Sequence, residues 1–223
     1  MSRIPGSGNV VRKARLYDLL AGLPLAAWFA VGIVGSLYRI PVSLDLSRDG
    51  LATCAQLANV LLLGIMIVLL LVRRPPVRRP AGFWPRAAGV AGAVAPIFML
   101  AVPHGELAPA MFTLSLVLIF VGTATSIVAT CWLGRAFSIL PQARALVTEG
   151  PYKFVRHPLY LAEIIALCGT AMEFEQPWSA LVMIIAIALQ VPRMHYEEQI
   201  LMESFPTYRA YVSRTARLIP GVY

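Results

Sequence analysis

The feature that most constrains this chain is a set of three long stretches that are almost free of charged side chains. They comprise residues 16–38, 51–72 and 109–133, and each contains 22 to 25 residues. At about 1.5 Å per residue, a helix of this length crosses a hydrocarbon core of roughly 30 Å. Only 13% of the residues are charged, whereas a soluble domain carries about 25%. The sequence therefore predicts three membrane-spanning helices and excludes a disordered chain and a disulfide scaffold.

Three shorter apolar stretches complete the predicted fold. Residues 87–102 form a fourth span, which Pro96 is expected to kink. Residues 159–172 and 178–191 contain 14 residues each, and they form either two short spans or a helical hairpin that enters and leaves on one side. After them, apolar residues recur at helical spacing up to Val212, which indicates an amphipathic helix. We predict an all-α integral membrane protein with four long transmembrane helices, a short helical hairpin and a C-terminal amphipathic cytoplasmic helix.

The basic residues indicate how these helices are oriented. The chain has 19 Lys and Arg residues and a net charge of +8. In the predicted topology, 17 of the 19 lie at the two termini and in the loops on the same side. The positive-inside rule places that side in the cytoplasm, at the inner membrane of a bacterium or the endoplasmic reticulum of a eukaryote. Because the charge is sorted by membrane side and surrounds no nucleic-acid-binding motif, we predict no nucleic-acid partner.

Polar residues concentrate after residue 133, in two places that meet the predicted membrane surface. In the first, Pro158 suits the first turn of a helix, which places His157 near its N-cap beside Arg156. Glu163 follows Tyr160 by three residues on the same helical face, and an ionisable group inside an apolar stretch is a candidate for lining a site.

The second concentration follows Pro192. If the helix continues past this proline, Arg193 and Glu197 are one turn apart and form either an ordinary ion pair or part of a site. The sequence has no His-Glu-x-x-His or Cys-x-x-Cys pattern, no P-loop and no Gly-x-Gly-x-x-Gly, so it predicts neither a metal site nor a soluble nucleotide-binding domain.

Four motifs in the second half of the chain resemble the isoprenylcysteine carboxyl methyltransferase family. In order, they are Gly150-Pro151-Tyr152, then Val155-Arg156-His157-Pro158-Leu159-Tyr160, then Arg193 with Glu197-Glu198 and Leu201, and finally Tyr208 with Tyr211 before Ile219-Pro220. The resemblance covers roughly residues 130 to 220. The Phe205-Pro206 segment is one residue shorter than the spacing expected in the family, which leaves the packing of the last helix open.

The resemblance implies an integral membrane methyltransferase that uses S-adenosylmethionine in a pocket facing the cytoplasm. Residues 1–132 would form the N-terminal transmembrane helices and residues 133–223 the catalytic region. By similarity, Arg193 and Glu197 would lie near the acceptor, and Arg156 and Glu163 are possible lining residues. The residues implied to hold the cofactor are Val147, Gly150, Pro151, Tyr152, His157, Pro158, Tyr160 and Glu198.

The methyl acceptor is expected to be lipidic, and its reacting group stays open at this point. A carboxylate such as that of a prenylcysteine needs no base, and Arg193 is suited to orient it. A phospholipid amine would instead need Glu197 or Glu198 to remove a proton, and a small thiol is a further possible acceptor. Two other classes remain as alternatives: an NADPH-dependent membrane reductase and an inactive membrane scaffold. The sequence leaves the oligomeric state open.

The predicted orientation leads to a direct test. Residues 39–50 connect the first two spans and should face away from the cytoplasm, because only 2 of the 19 basic residues lie there. In a cysteine-free background, a cysteine introduced at Ser43 should react with an impermeant maleimide added from the non-cytoplasmic side. Reaction from the cytoplasmic side alone would contradict the predicted topology.

Overall fold

The computed structural model describes residues 7–40 and 46–221. These residues form seven α-helices and no β-strand, apart from isolated bridges between loops. The loop around Ser43, which is predicted to face away from the cytoplasm, lies outside the described residues. The helices are α1 (Ser7–Tyr38), α2 (Leu46–Val72), α3 (Trp84–Val94), α4 (Pro109–Leu133), α5 (Pro158–Met172), α6 (Trp178–Ser204) and α7 (Tyr208–Val212).

Helical segments long and apolar enough to cross a membrane confirm the predicted class of fold. Within the described residues there are 5 such segments, in α1, α2, α3 with the turn that follows it, α4, and α6. The helix changes type next to Pro96, since α3 ends at Val94 and a 3₁₀ helix continues from Ala95 to Ala101. Proline removes a backbone hydrogen-bond donor, which explains the change of helix type.

The second arm of the predicted hairpin is longer than expected. Residues 178–191 form only the first half of α6, which continues through Pro192 for 27 residues in all. The apolar stretch stops at Val191 because polar side chains follow, but the helix does not stop there. Residues such as Arg193 and Glu198 are buried against protein, and a buried polar side chain with partners does not end a helix. The described residues therefore contain one short apolar helix, α5, and not a pair.

The predicted C-terminal amphipathic helix is divided into two parts. Leu201 belongs to the end of α6, Phe205 is extended at φ −130° and ψ 106°, and α7 has only 5 residues. Pro206 explains the break, because a residue that precedes proline is driven out of the helical region. Tyr208 and Tyr211 of α7 are both buried, so this short helix packs its aromatic side inward.

Close packing of small residues sets the position of α5 against α4. A Cβ added at Gly122 would lie 2.5 Å from the backbone nitrogen of Ala166 and 2.8 Å from the carbonyl oxygen of Ala162. At the other end of the contact, a Cβ at Gly169 would lie 2.6 Å from the carbonyl oxygen of Ser115. Small residues permit such close backbone contact between helices in a membrane. The start of α5 is therefore held firmly at one end of the helix bundle.

A buried cluster of three charges ties α1 to the loops at the same end of the bundle. Asp18 of α1 lies 2.9 Å from the Nε of Arg73, which directly follows α2. Its other carboxylate oxygen accepts a 2.9 Å bond from Nη2 of Arg144. Arg144 is fully buried and also donates to Gln142. Because a buried charge needs a partner, this cluster fixes the loop between α4 and α5. We call this end of the molecule, where α2, α4 and α6 end, the basic end.

The α4–α5 contact generates a stability prediction. Replacing Gly122 by Leu should lower the free energy of unfolding by about 1–3 kcal/mol or more, because no space exists for a side chain between the two backbones. Gly64 of α2 is the matched control, since a Cβ there meets no atom within 4 Å. Thermal unfolding of the two variants in detergent measures the difference. Equal destabilisation of Gly122→Leu and Gly64→Leu would contradict the proposed role of this contact.

Candidate functional site

The carboxylate of Glu198 joins three separate parts of the chain at the basic end. It accepts a 2.8 Å hydrogen bond from Nε of Arg156, and Nε2 of His157 lies 3.2 Å away. Its second oxygen accepts a 3.1 Å bond from Nε of Arg217 and a further bond from the same guanidinium. Glu198 is 3% exposed. One buried carboxylate therefore holds together α6, the residues before α5 and the C-terminal segment.

Backbone contacts reinforce this connection between α5 and the C-terminal segment. The amide of Arg156 donates to the carbonyl of Ala216 at 2.9 Å, and that of His157 donates to the carbonyl of Arg217 at 3.1 Å. His157 is the N-cap of α5 and Pro158 opens the helix, as the sequence predicts. The amide of His157 is therefore already bonded within the chain.

A tight turn precedes this N-cap and lies on the last helical turn of α4. Residues Gly150–Lys153 form a short 3₁₀ helix. Gly150 has φ +60°, and a Cβ at this position would lie 2.4 Å from the ring of Trp132. Glycine is needed here for both reasons, since it alone tolerates this backbone angle easily and leaves space for the indole. The turn places Tyr152 and its backbone at the site.

A small polar cavity lies beneath this turn, α6 and the C-terminal segment. Its volume is about 50 Å³. Tyr211 closes one side by donating a 2.5 Å hydrogen bond to the carbonyl of Tyr152. The lining residues that carry polar groups are Ser138, Gln142, Tyr152, Arg156, His157, Glu197, Tyr208 and Tyr211, and Val147 also lines the cavity.

The three tyrosines of the polar cavity stay protonated at neutral pH. Burial raises the pKa of Tyr211 to about 12. Burial also raises the pKa values of Tyr152 and Tyr208 well above the usual range of a phenol, with the nearby glutamates adding to the effect. Loss of water disfavours the charged form of a phenol. These residues are therefore neutral hydrogen-bond donors and not bases.

A second, larger cavity lies inside the helix bundle. Its volume is about 560 Å³, and its walls come from α1 to α6. Most of its lining is apolar, but Glu163, Gln190 and Arg193 line it as well. A cavity of this size, apolar with a few convergent polar groups, has the character of a ligand-binding site. We call it the membrane cavity.

The two cavities lie back to back. Phe137 and Ile139 line the membrane cavity, whereas Ser138 between them lines the polar cavity. In α6, Arg193 lines the membrane cavity and Glu197, one turn later, lines the polar one. The wall between the cavities is thus only one residue layer thick.

Tyr160 occupies this wall and contacts both sides. Its hydroxyl donates a 2.6 Å hydrogen bond to Glu197, and the guanidinium of Arg193 lies 4.7 Å from the centre of its ring. The simple ion pair expected between Arg193 and Glu197 is therefore replaced by an arrangement in which each residue contacts Tyr160. The ring of a buried tyrosine serves both contacts because its face attracts cations and its hydroxyl donates.

Arg193 is engaged by groups of the membrane cavity. Its Nη1 donates to Gln190 at 3.2 Å and its Nη2 to the carbonyl of Ile139 at 3.1 Å. Glu163 lies 3.9 Å from Nη1 and accepts a 3.0 Å bond from the amide of Gln190. The two glutamates and one arginine around Tyr160 are thus held by specific partners.

The structure brings most residues singled out in the sequence to these two cavities. Arg156, His157 and Glu198 are in direct contact, Gly150 and Pro151 form the turn, and Pro158 starts α5. Sequence reasoning missed the roles of Gln190 and Arg217. Gln190 carried a usable signal, because it is a polar residue in an apolar stretch. Arg217 carried none, since nothing in its spacing connects it with Glu198.

The described residues form an α-helical integral membrane protein with a polar site at one end, and comparisons show which known proteins it resembles. Residues 106–207 match the model of the phospholipid methyltransferase family. The chain is 33% identical over 113 residues to protein-S-isoprenylcysteine O-methyltransferase B of Arabidopsis thaliana, covering 48% of this chain and 56% of that protein. The predicted resemblance is confirmed: the second half of the chain is similar to the phospholipid and isoprenylcysteine methyltransferases.

Two bacterial proteins with different names are also similar to this chain. They are nickel-cobalt-cadmium resistance protein NccN of Alcaligenes xylosoxydans xylosoxydans and cobalt-zinc-cadmium resistance protein CzcN of Cupriavidus metallidurans. Each is 34% identical over 76 residues, which cover 34% of this chain and 36% and 35% of the two proteins. The chain thus spans between about a third and somewhat over half of the length of the curated relatives it matches.

The Glu198 cluster generates a second stability prediction. Glu198→Gln should lower the free energy of unfolding by about 3–5 kcal/mol, because it removes the charge of a buried carboxylate that pairs with Arg156 and Arg217. Glu203→Gln is the matched control on the same helix, since the Glu203–Arg78 pair has side chains 54% and 53% exposed and should contribute about 0–1 kcal/mol. Thermal unfolding and tryptic cleavage after Arg214 report stability and release of the C-terminal segment. Similar values for the two variants would refute the structural role of Glu198.

Proposed function

We propose that this protein is a membrane methyltransferase that uses S-adenosylmethionine and acts on an amphipathic, lipid-soluble acceptor. The observation that carries the proposal is the pair of cavities that meet at Tyr160. One is polar and lies at the basic end, and the other is largely apolar and lies within the helix bundle. A transfer reaction needs donor and acceptor held next to each other and away from water, which two adjoining cavities provide.

The residues of the polar cavity suit a cofactor with a nucleoside and an amino-acid part. His157, Tyr152 and Gln142 line the cavity and can form hydrogen bonds, and the turn that begins at Gly150-Pro151 places Tyr152 there. The cavity is small, at about 50 Å³, compared with roughly 300–1,000 Å³ for typical ligand sites. Loading therefore requires the C-terminal segment that carries Tyr208 and Tyr211 to move outward.

Glu198 takes a different part from the one that the resemblance implies. Its oxygens are occupied by Arg156, His157 and Arg217, so it acts on the cofactor by holding these residues in place. For the same reason it is a poor candidate for a general base. Val147, Pro158 and Tyr160 complete the proposed surface around the cofactor.

The chemistry asked of the protein is limited. When bound, S-adenosylmethionine supplies an electrophilic methyl group, and the cofactor carries the difficult chemistry. Arg193, Glu197 and Tyr160 orient the acceptor at the wall between the cavities, and the apolar lining excludes water. A prenylcysteine-like carboxylate is the acceptor that the sequence favours. Arg193 donates from its two terminal nitrogens to Gln190 and to the carbonyl of Ile139, while its buried Nε has no hydrogen-bond partner among the described residues and stays available to an acceptor.

Binding of S-adenosylhomocysteine to purified protein tests the proposal. Calorimetry should detect binding by the wild type, and Gly150→Ala should weaken it about tenfold or more, because a Cβ displaces the turn from Trp132. Glu203→Gln should bind like the wild type, and unfolding curves identify any variant that has not folded. If well-folded protein binds NADPH and does not bind S-adenosylhomocysteine, the result would favour a reductase. Well-folded protein that binds neither would favour an inactive scaffold.

A further inference from the structure

One side-chain amide at the polar cavity has donor groups that the protein does not use. Gln142 lines this cavity. Its amide oxygen accepts hydrogen bonds from Nη2 of Arg144 at 2.7 Å and from the hydroxyl of Ser138 at 3.3 Å. Its amide nitrogen makes no hydrogen bond with any of the described residues. Because this nitrogen carries two N–H groups, Gln142 can offer two donors to a ligand in the cavity.

Arg144 determines which way round this amide lies. A guanidinium has donors and no acceptor, so the atom of Gln142 next to it must be the oxygen, and the nitrogen lies on the other side of the amide group. The positive charge of Arg144 also strengthens these N–H groups as donors, because linked hydrogen bonds polarise one another. The orientation and the strength of the Gln142 donors therefore both depend on where Arg144 is held.

Asp18 of α1 holds Arg144. Its two carboxylate oxygens accept bonds of 2.9 Å from Nη2 and 3.1 Å from Nη1 of Arg144, and such a two-pronged contact fixes the plane of the guanidinium. Nη1 also donates to the carbonyl of Arg74, whereas Nε makes no hydrogen bond with the described residues. Only 10% of the Asp18 side chain and 0% of the Arg144 side chain are exposed. Water therefore competes little for this contact.

The same carboxylate also lies between two positive charges. Nε of Arg73 lies 2.9 Å from the carboxylate of Asp18, and Nη2 of Arg73 donates to the backbone carbonyl of Asp18 at 2.7 Å. Without the negative charge, the two arginine side chains would repel each other at close range. Arg73 would keep its bond to the backbone of α1, whereas Arg144 would lose its two-pronged contact. We therefore expect Arg144 to move when the charge of Asp18 is removed.

We propose that Asp18 is a positioning residue for the polar cavity, which acts through Arg144 on Gln142 and so couples the first transmembrane helix to cofactor binding. The inference rests on the proposed function, because it takes the ligand of the polar cavity to be the cofactor. Asp18 lies outside residues 106–207, the segment that matches the phospholipid methyltransferase family. It touches no ligand in this scheme, and it keeps the Gln142 donors in place for one.

A double-mutant cycle with S-adenosylhomocysteine tests the path from Asp18 to Gln142. Calorimetry should show that Asp18→Asn weakens binding about tenfold and that Gln142→Ala weakens it by a similar factor. In the Gln142→Ala background, Asp18→Asn should cause little further loss, because the effects of residues that act through one another do not add. Asp18→Glu should retain most of the affinity, since it keeps the charge. The same loss from Asp18→Asn in both backgrounds would show a merely structural role and would overturn the inference.

Three further variants separate binding from folding. Gln142→Glu keeps an acceptor for Arg144 but has no donor, so it should fold like the wild type and bind about tenfold more weakly. Arg144→Lys keeps the charge next to Asp18 but loses the fork that also reaches Gln142, so it should bind like Asp18→Asn. Glu175→Ala removes an exposed carboxylate beyond the far end of α5 and should leave the affinity unchanged. If neither Asp18→Asn nor Arg144→Lys folds, the cluster serves folding and the inference fails.

The side-chain amide of Gln142 provides a readout that needs no ligand. Its N–H resonances in the NMR spectrum are identified by their absence from the spectrum of Gln142→Glu. Asp18→Asn should shift them towards the positions of solvent-exposed glutamines, whereas Glu175→Ala should leave them in place. Unchanged resonances in folded Asp18→Asn would overturn the inference. If S-adenosylhomocysteine does not bind even to the wild type, the proposed function fails by itself, and these resonances still decide whether Asp18 positions Gln142.

Discussion

The ion network around Glu198 is the interaction on which the arrangement of the site depends. Three basic residues, Arg156, His157 and Arg217, converge on one buried carboxylate. Arg156 and His157 lie at the start of α5, and Arg217 lies in the C-terminal segment. Arg156 and Ala216 are 60 positions apart in the sequence, yet the two segments share backbone hydrogen bonds. Breaking a buried pair leaves charges without compensation, so the carboxylate fixes where α5 begins and keeps the last segment over the polar cavity.

The same requirement for paired charges explains why the chemistry lies at a wall between two cavities. Ionisable groups within an apolar bundle must contact protein partners or ligand. Glu163, Arg193 and Glu197 meet this requirement through Gln190 and Tyr160. Their side chains approach the wall from the membrane cavity on one side and the polar cavity on the other. The close packing of α4 on α5 fixes the backbone that carries Glu163.

The sequence predicted the class of fold, the resemblance to a family and many of the residues that the structure brings to the two cavities, and it did not locate two helix ends. Hydropathy identified the apolar stretches, but the last of them ends at Val191, which left open whether the helix continues past Pro192. The helix continues to Ser204, because Arg193 and Glu198 are buried against protein. Hydropathy alone does not distinguish a charged residue that leaves the membrane from one that is paired inside the protein. The helix break before Pro206 follows from local chemistry and was within reach of sequence reasoning.

By itself, the sequence determined the membrane-spanning character, the class of fold and the motifs in which the chain resembles the methyltransferases. These properties follow from length, apolar composition and local order, which are read directly along the chain. Only the tertiary structure decided that Arg217 completes the Glu198 network and that Glu163 shares the membrane cavity with Arg193. The physical reason is that the charge balance of a site depends on distances between side chains from different helices. No spacing along one helix specifies those distances.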